Sequence, residues 1–415
     1  MGFCFASLPL SVGSLLVAGS LAGCVVYDPA LLQRDAGGSC HPHHPPERPG
    51  GTDGMMPGDV VFGLRDVVLM QTADQARMTG FDLDGLCTDN INRATECTPM
   101  MGAPVPIDGN DGIDNQFGAV LFPLVNVAVP GLEMRARAAQ VAGNGLPLLR
   151  MRGWNGTMND AVVDIVITSA VFSTAGTGTT MPPMVHVTDP MHHTLASGAP
   201  LPPPAWDGYD WAWVRDDSFV AGDLEMPLVR DERAYVANGQ VVARLPQRVD
   251  IVFPTDTVGV LVRLTDAVAV GTLSSDGMML NNVVVAGRWS IADLLSTAEN
   301  IGLCRGTGQY NILQSQLARD ADLRSTPPAP GDPMLSCDAV SLGVGFTGFR
   351  MRVAGVTGGL VITNQCATDG GVSDGSMLDA GASDAGTADV GTSDVGVDAG
   401  RDAAMSVDVG VDTSG

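Results

Sequence analysis

Short runs rich in Val and Ile recur through the middle of this chain, and Gly, Pro, Asn or Asp close most of them. Runs of this kind, bounded by turn residues, read as strands. Asp59–Met70 and Ala161–Thr168 are two of them. Tyr235–Val242 holds two short strands around Asn238-Gly239, the strongest short-range hairpin signal. Val268–Leu280 repeats the pattern around Asp276-Gly277, and Val340–Ile362 predicts a further pair. This much antiparallel signal predicts a mainly β protein, built as an antiparallel β-sandwich or jelly-roll-like body.

Helical spacing is local. Ile291, Leu294, Leu295, Ala298 and Ile301 recur at helix period behind Ser290, a good N-cap, with Asp293 in the first turn. A second helix is expected over Asn311–Leu323, before Pro327-Pro328. Cys304 and Cys337 bracket the second helix, so a bridge between them would staple a small helical insertion to the sheet.

The two ends of the chain differ from the middle. Ser7–Leu21 is apolar or small, too short for a comfortable membrane span and suited to a signal-peptide core. Leu21-Ala22-Gly23-Cys24 follows it and reads as a lipobox. On these residues the chain resembles bacterial lipoproteins of the signal-peptidase II class. The resemblance covers residues 1–24 and implies that residues 1–23 are removed and that Cys24 carries a diacylglycerol and an N-acyl chain such as palmitate. Two or more chains anchor stably where one does not. Val25, not Asp, follows the cysteine, which by the same resemblance favours the outer membrane. Residues 24–58, with Cys40-His41-Pro42-His43-His44-Pro45-Pro46, read as a tether, and residues 59–366 as the folded body. In 369–415, Asp recurs every five residues from Asp369 to Asp394 amid Gly, Ala, Ser, Thr and Val. That period fits neither helix nor strand, so a disordered tail is expected.

Composition narrows the function. The chain has 415 residues and a net charge of −24, and all 22 basic residues are Arg. An acidic surface repels phosphate backbones, so nucleic acid is not an expected partner. Six cysteines remain beyond Cys4 and Cys24: Cys40, Cys87, Cys97, Cys304, Cys337 and Cys366. An even number outside the cytoplasm reads as a disulfide framework. The expected pairs are Cys87–Cys97, Cys304–Cys337 and Cys40–Cys366. No CxxC pair is present, which disfavours a thiolate zinc site.

Three groups of residues could carry chemistry. Asp82, Asp84, Asp89, Asp108, Asn110, Asp111 and Asp114 sit among glycines at the spacing of oxygen ligands on tight turns, so calcium is the candidate cofactor. Asx-turn chemistry explains the same pattern without an ion. Trp206, Tyr209, Trp211 and Trp213 lie within eight residues. Trp211 and Trp213 would share one face of a strand, where exposed rings could stack on sugars and buried ones would fill a core. Met181, Met184, His186, Met191, His192 and His193 offer soft ligands suited to copper. No Gly-x-Ser-x-Gly, Walker loop, His-Glu-x-x-His or Rossmann fingerprint occurs.

Leader, Asp-rich turns and Asp-Ala-Gly tail together resemble exported lipoproteins of myxobacterial type, a resemblance that implies no activity. The expected function is non-enzymatic binding, adhesion or envelope structure, with the membrane as partner through the anchor and carbohydrate or an envelope protein as further partner. The alternatives are a carboxylate-dependent polysaccharide hydrolase and a copper-binding envelope protein.

Overall fold

A computed structural model describes residues 40–51, 58–69, 71–174, 187–189, 194–195, 202–254, 259–329, 332–359, 362 and 364–367. Cys24, the copper candidates Met181, Met184, His186, Met191, His192 and His193, and the tail 369–415 lie outside the described residues. The protein is mainly β, and its sheet is antiparallel but for one contact. In chain order the elements are β1 (Asp59–Val68), α1 (Phe122–Ala128), α2 (Leu132–Val141), β2 (Leu146–Arg152) and β3 (Asp160–Thr174). There follow β4 (Val187–Asp189), β5 (Thr194–Leu195), β6 (Trp211–Arg215), β7 (Arg230–Ala237), β8 (Gln240–Leu245) and β9 (Val249–Pro254). The last are β10 (Gly259–Leu273), β11 (Met279–Ser290), α3 (Ile291–Asn300), α4 (Gly308–Asp320) and β12 (Ala339–Thr357).

The architecture corrects the sandwich expectation: the sheet closes. β1 pairs with β2, β2 with β3, β3 with β7, and the path runs on through β8, β10, β11 and β12 back to β1. This makes a barrel of eight strands. Closure rests on β1–β12, where Val61 faces Met351, and on β3–β7, where Asp160 faces Val236. A closed ring has no free edge, which resolves the edge-strand problem that a sandwich leaves open. β6 lies outside the barrel, antiparallel to β3 and parallel to the end of β12, and β9 pairs with the start of β10.

The wall shared by β1, β2, β3 and β12 is buried on both faces. Phe62, Leu149, Ile165 and Val344 belong to the main core. Val61, Leu148, Phe172 and Met351 join Ala212 and Val214 of β6 in a second, smaller core. Alternate residues thus serve two cores, which is why these strands read as near-continuous apolar runs. At three of the places where the register slips, Asp66, Asp266 and Asn282 sit with φ of 58°, 48° and 48°. Asp and Asn tolerate this left-handed conformation best among side-chain-bearing residues, and bulges of this kind bend strands into closure.

Local expectations fare unevenly. The Asn238-Gly239 hairpin forms between β7 and β8, and the Asp276-Gly277 turn joins β10 to β11. The Ser290 hydroxyl accepts from the Asp293 amide and caps α3. α4 starts earlier than expected, capped by Thr307, and ends at Asp320 before the proline pair. Val340–Ile362 is a correction: β12 is one strand of 19 residues, not two.

All three expected disulfide pairs are corrected. The bonds are Cys40–Cys87, Cys97–Cys337 and Cys304–Cys366. The helices are therefore not stapled by Cys304–Cys337; Cys304, before α4, bonds Cys366, and Cys337, after it, bonds Cys97. The segment read as tether is docked on the body over residues 40–51. His43 stacks on Phe81 with ring centroids 5.5 Å apart, the Tyr235 hydroxyl donates to the Pro46 carbonyl at 2.6 Å, and Arg48 lies over the Tyr235 ring.

Candidate functional site

Three helices cover one side of the main core, and the space they leave is the most distinctive site in the molecule. Ser290 ends β11 and caps α3, which turns Leu294 and Ala298 inward. α1 begins with Pro123 in its first turn, where a missing amide costs nothing. Its approach through Phe117–Leu121 is a π-helical turn. Between α1, α3, α4 and the strand residues Phe253, Val260 and Val262 lies a cavity of about 410 Å³. Phe117 and Trp289 form part of its wall, with ring centroids 5.3 Å apart. Among the described residues no charged side chain lines it, and its polar groups are Thr297, Gln309 and the buried indole N–H of Trp289. Thr297 spends its hydroxyl on the Leu261 carbonyl. Val127, 79% exposed, and Ile312, 67% exposed, also line it and extend apolar surface out to solvent. The size falls within the range of small-molecule sites, which commonly sit in the mouths of barrels.

A second site is acidic. Residues 81–89 and 108–115 face each other through an isolated bridge between Phe81 and Asp114. Asp114 accepts from the Leu83 amide at 2.7 Å, Asp82 from Gly85 at 2.6 Å, Asp84 from Leu86 at 2.8 Å, and Asp108 from Thr88 at 2.5 Å. These carboxylates converge rather than fan outward. Burial, reinforced by Glu96 and Asp82, pushes Asp84 up to about 7. Burial, with Asp84 and Asp322 beside it, also pushes Asp108 up to about 7. Asp114 is raised well above the usual range, first by burial and then by Asp84, Asp108 and Asp322. Burial raises Asp82 as well, against the pull of the Gly85 amide.

Of the seven residues expected to hold calcium, the structure brings together Asp82, Asp84, Asp108 and Asp114. Asp89 is exposed and accepts from the Ile91 and Asn92 amides, as an Asx turn. Asn110 and Asp111 are exposed in a single turn of 3-10 helix. Asp322 joins the cluster unforeseen. It sits in a loop beyond α4, accepts from both the amide and the hydroxyl of Ser341, and burial pushes it up to about 6. No local pattern in the sequence marks it.

The aromatic cluster divides. Trp206 packs against the second core, 5.6 Å from the Phe349 ring, with Arg65 over it. Trp211 and Trp213 share the half-buried outer face of β6, as the strand period predicted, and Tyr209 is 42% exposed. Arg352 lies 5.2 Å from the Tyr209 ring and 5.4 Å from the Trp211 ring, close enough for cation–π contact with both. The cavity residues escaped sequence reading, although the apolar run Phe117–Val129 with its early proline was a visible helix signal. No protein-family model, curated protein or solved structure matches this chain.

Proposed function

We propose that this is a lipid-anchored protein of the cell envelope that binds a small apolar molecule, such as a single acyl chain, without transforming it. The observation that carries the reading is the apolar cavity of about 410 Å³ beneath α1, α3 and α4, lined by no charged side chain among the described residues. Transfer of apolar surface into such a cavity supplies about 25 cal/mol per Å² before association costs. With so few polar groups in the lining, selection would be by size and shape rather than by hydrogen bonding. The lipobox at Cys24 supports the address and leaves the body outside the cytosol, where an oxidised cysteine framework persists.

The hydrolase reading receives less support. Carboxylate pairs that cleave glycosides stand about 5–9.5 Å apart across the scissile bond. Asp82, Asp84 and Asp114 crowd closer than that, and Asp82 and Asp114 are buried.

The test is a titration of the purified protein with saturated fatty acids of graded length, read by tryptophan emission. Trp289 lines the cavity, so saturable quenching or enhancement is expected, and it should vanish in Trp289→Phe. Val125→Trp and Ile301→Trp fill the space and should weaken binding at least tenfold. Failure of every chain length to bind, with the fold intact by circular dichroism, contradicts the reading.

A further inference from the structure

Asp82, Asp84 and Asp114 each present a carboxylate oxygen, and the three oxygens lie within 4.8 Å of one another. Acidic groups crowd on many surfaces without binding anything, but two further features separate this cluster from those. Asp82 is only 7% exposed, and its Oδ2 is buried without a hydrogen-bond donor among the described residues. A dry carboxylate oxygen is costly unless a proton or a cation meets it. Asp114 also lines a cavity of about 20 Å³, together with Asp108, Asp322 and Arg77. That is room for one water or one small ion. Of the neighbouring basic side chains, Arg288 is committed to Glu96 and to the carbonyls of Leu83 and Arg324, and His44 acts on Asp82.

We propose that Asp82, Asp84 and Asp114 bind one divalent cation of the calcium class, with Asp108 and Asp322 on the small cavity that Asp114 also lines. Calcium–oxygen distances are about 2.3–2.6 Å, so oxygens on opposite sides of one ion stand about 4.6–5.2 Å apart. A single ion therefore reaches all three carboxylates. The donors are hard oxygens throughout, which suits calcium or magnesium and disfavours copper. The ion would join the loop 82–86 to the loop 108–114, in parallel with the Cys40–Cys87 bond, and so fix the edge of the body where residues 40–51 dock. It is independent of the apolar cavity.

The experiment is calorimetric titration of the chelator-treated full chain with calcium chloride, and separately with magnesium chloride, at neutral pH. One ion per chain is expected, together with a rise in thermal midpoint of about 5 °C or more at saturating calcium. Asp84→Asn, the half-exposed ligand, should weaken binding at least tenfold, and Asp89→Asn, on the exposed turn nearby, should leave it unchanged. Circular dichroism of Asp84→Asn checks that it folds. No heat and no shift in midpoint with calcium up to about 10 mM overturns the site, because extracellular calcium modules bind with constants of about 0.1–1 mM. Equal weakening by Asp84→Asn and Asp89→Asn also overturns it, since it would mark diffuse attraction to an acidic loop.

Discussion

Arg288 Nη1 lies 2.5 Å from Glu96 Oε1, and their side chains are 1% and 6% exposed. The pair joins the barrel wall to the loops around it. Arg288 belongs to β11, and it also donates to the carbonyls of Leu83 at 2.6 Å and Arg324 at 2.9 Å. Glu96 in turn accepts from the Arg324 amide at 2.6 Å. One guanidinium thus organises three loop segments, and Cys97–Cys337 closes the same region covalently.

Breaking this pair from one side should be severe. Arg288→Met leaves Glu96 buried and uncompensated and should cost about 3–5 kcal/mol. The double variant Arg288→Met/Glu96→Leu removes both charges and should recover part of that loss. Urea unfolding of the single and double variants measures both. Equal stability of Arg288→Met and wild type would show that the pair holds nothing.

The acidic cluster sets a pH dependence with a definite sign. Asp84 and Asp108 are raised to about 7 and Asp322 to about 6, all from 3.8, chiefly by burial. Arg288 pulls Asp84 and Asp322 down, and burial outweighs it. A carboxyl whose folded value is raised binds protons more tightly when folded, so stability is greatest below about 4 and falls as pH rises through 7. In chelator, thermal midpoint should therefore rise by several degrees as pH is lowered from about 8 to about 5. With saturating calcium the slope should shrink or reverse, because protons then compete with the ion. Differential scanning calorimetry across pH, with and without calcium, distinguishes the two curves.

The disulfides close loops of 47, 240 and 62 residues. Loop-closure entropy assigns about 4–5.5 kcal/mol to each as an upper bound. Peptide mapping without reductant should recover Cys40–Cys87, Cys97–Cys337 and Cys304–Cys366. Cys97→Ser/Cys337→Ser should lower the denaturation midpoint most, since it spans the longest loop.

The cap on α3 is a smaller lever with a local readout. Ser290→Ala removes the acceptor for the Asp293 amide, 3.0 Å away, and should cost about 1 kcal/mol. Because α3 walls the apolar cavity, the same variant should bind fatty acids more weakly than its stability loss alone would cause at saturating folded fraction. Chemical denaturation and the fatty-acid titration report the two effects separately.

Local chemistry was legible in the sequence where a backbone demands a particular residue. Asn238 and Gly239 adopt φ of 51° and 80°, as a tight two-residue hairpin requires, and the turn formed where the pair was found. The same logic misread β12, because its glycines serve contact rather than turning. A Cβ on Gly343 would stand 2.2 Å from the Thr79 carbonyl oxygen, and one on Gly348 would stand 2.8 Å from Leu280 Cβ. Closure of the barrel was not legible. It depends on β1 meeting β12 across most of the chain, and no spacing encodes that contact. The acidic site was half visible: Asp82, Asp84, Asp108 and Asp114 announce themselves by density, whereas Asp322 arrives only through its hydrogen bonds to Ser341 on β12. The cysteines were countable but not pairable, since six allow fifteen connectivities and none of the local pairs formed.

Native mass spectrometry of the protein extracted from its own envelope tests the central claim most directly. The account predicts acylated Cys24 and, on the folded body, a discrete small-molecule adduct that is released on denaturation and absent from Val125→Trp. A bare polypeptide mass under native conditions, with no fatty acid taken up when offered, would contradict it.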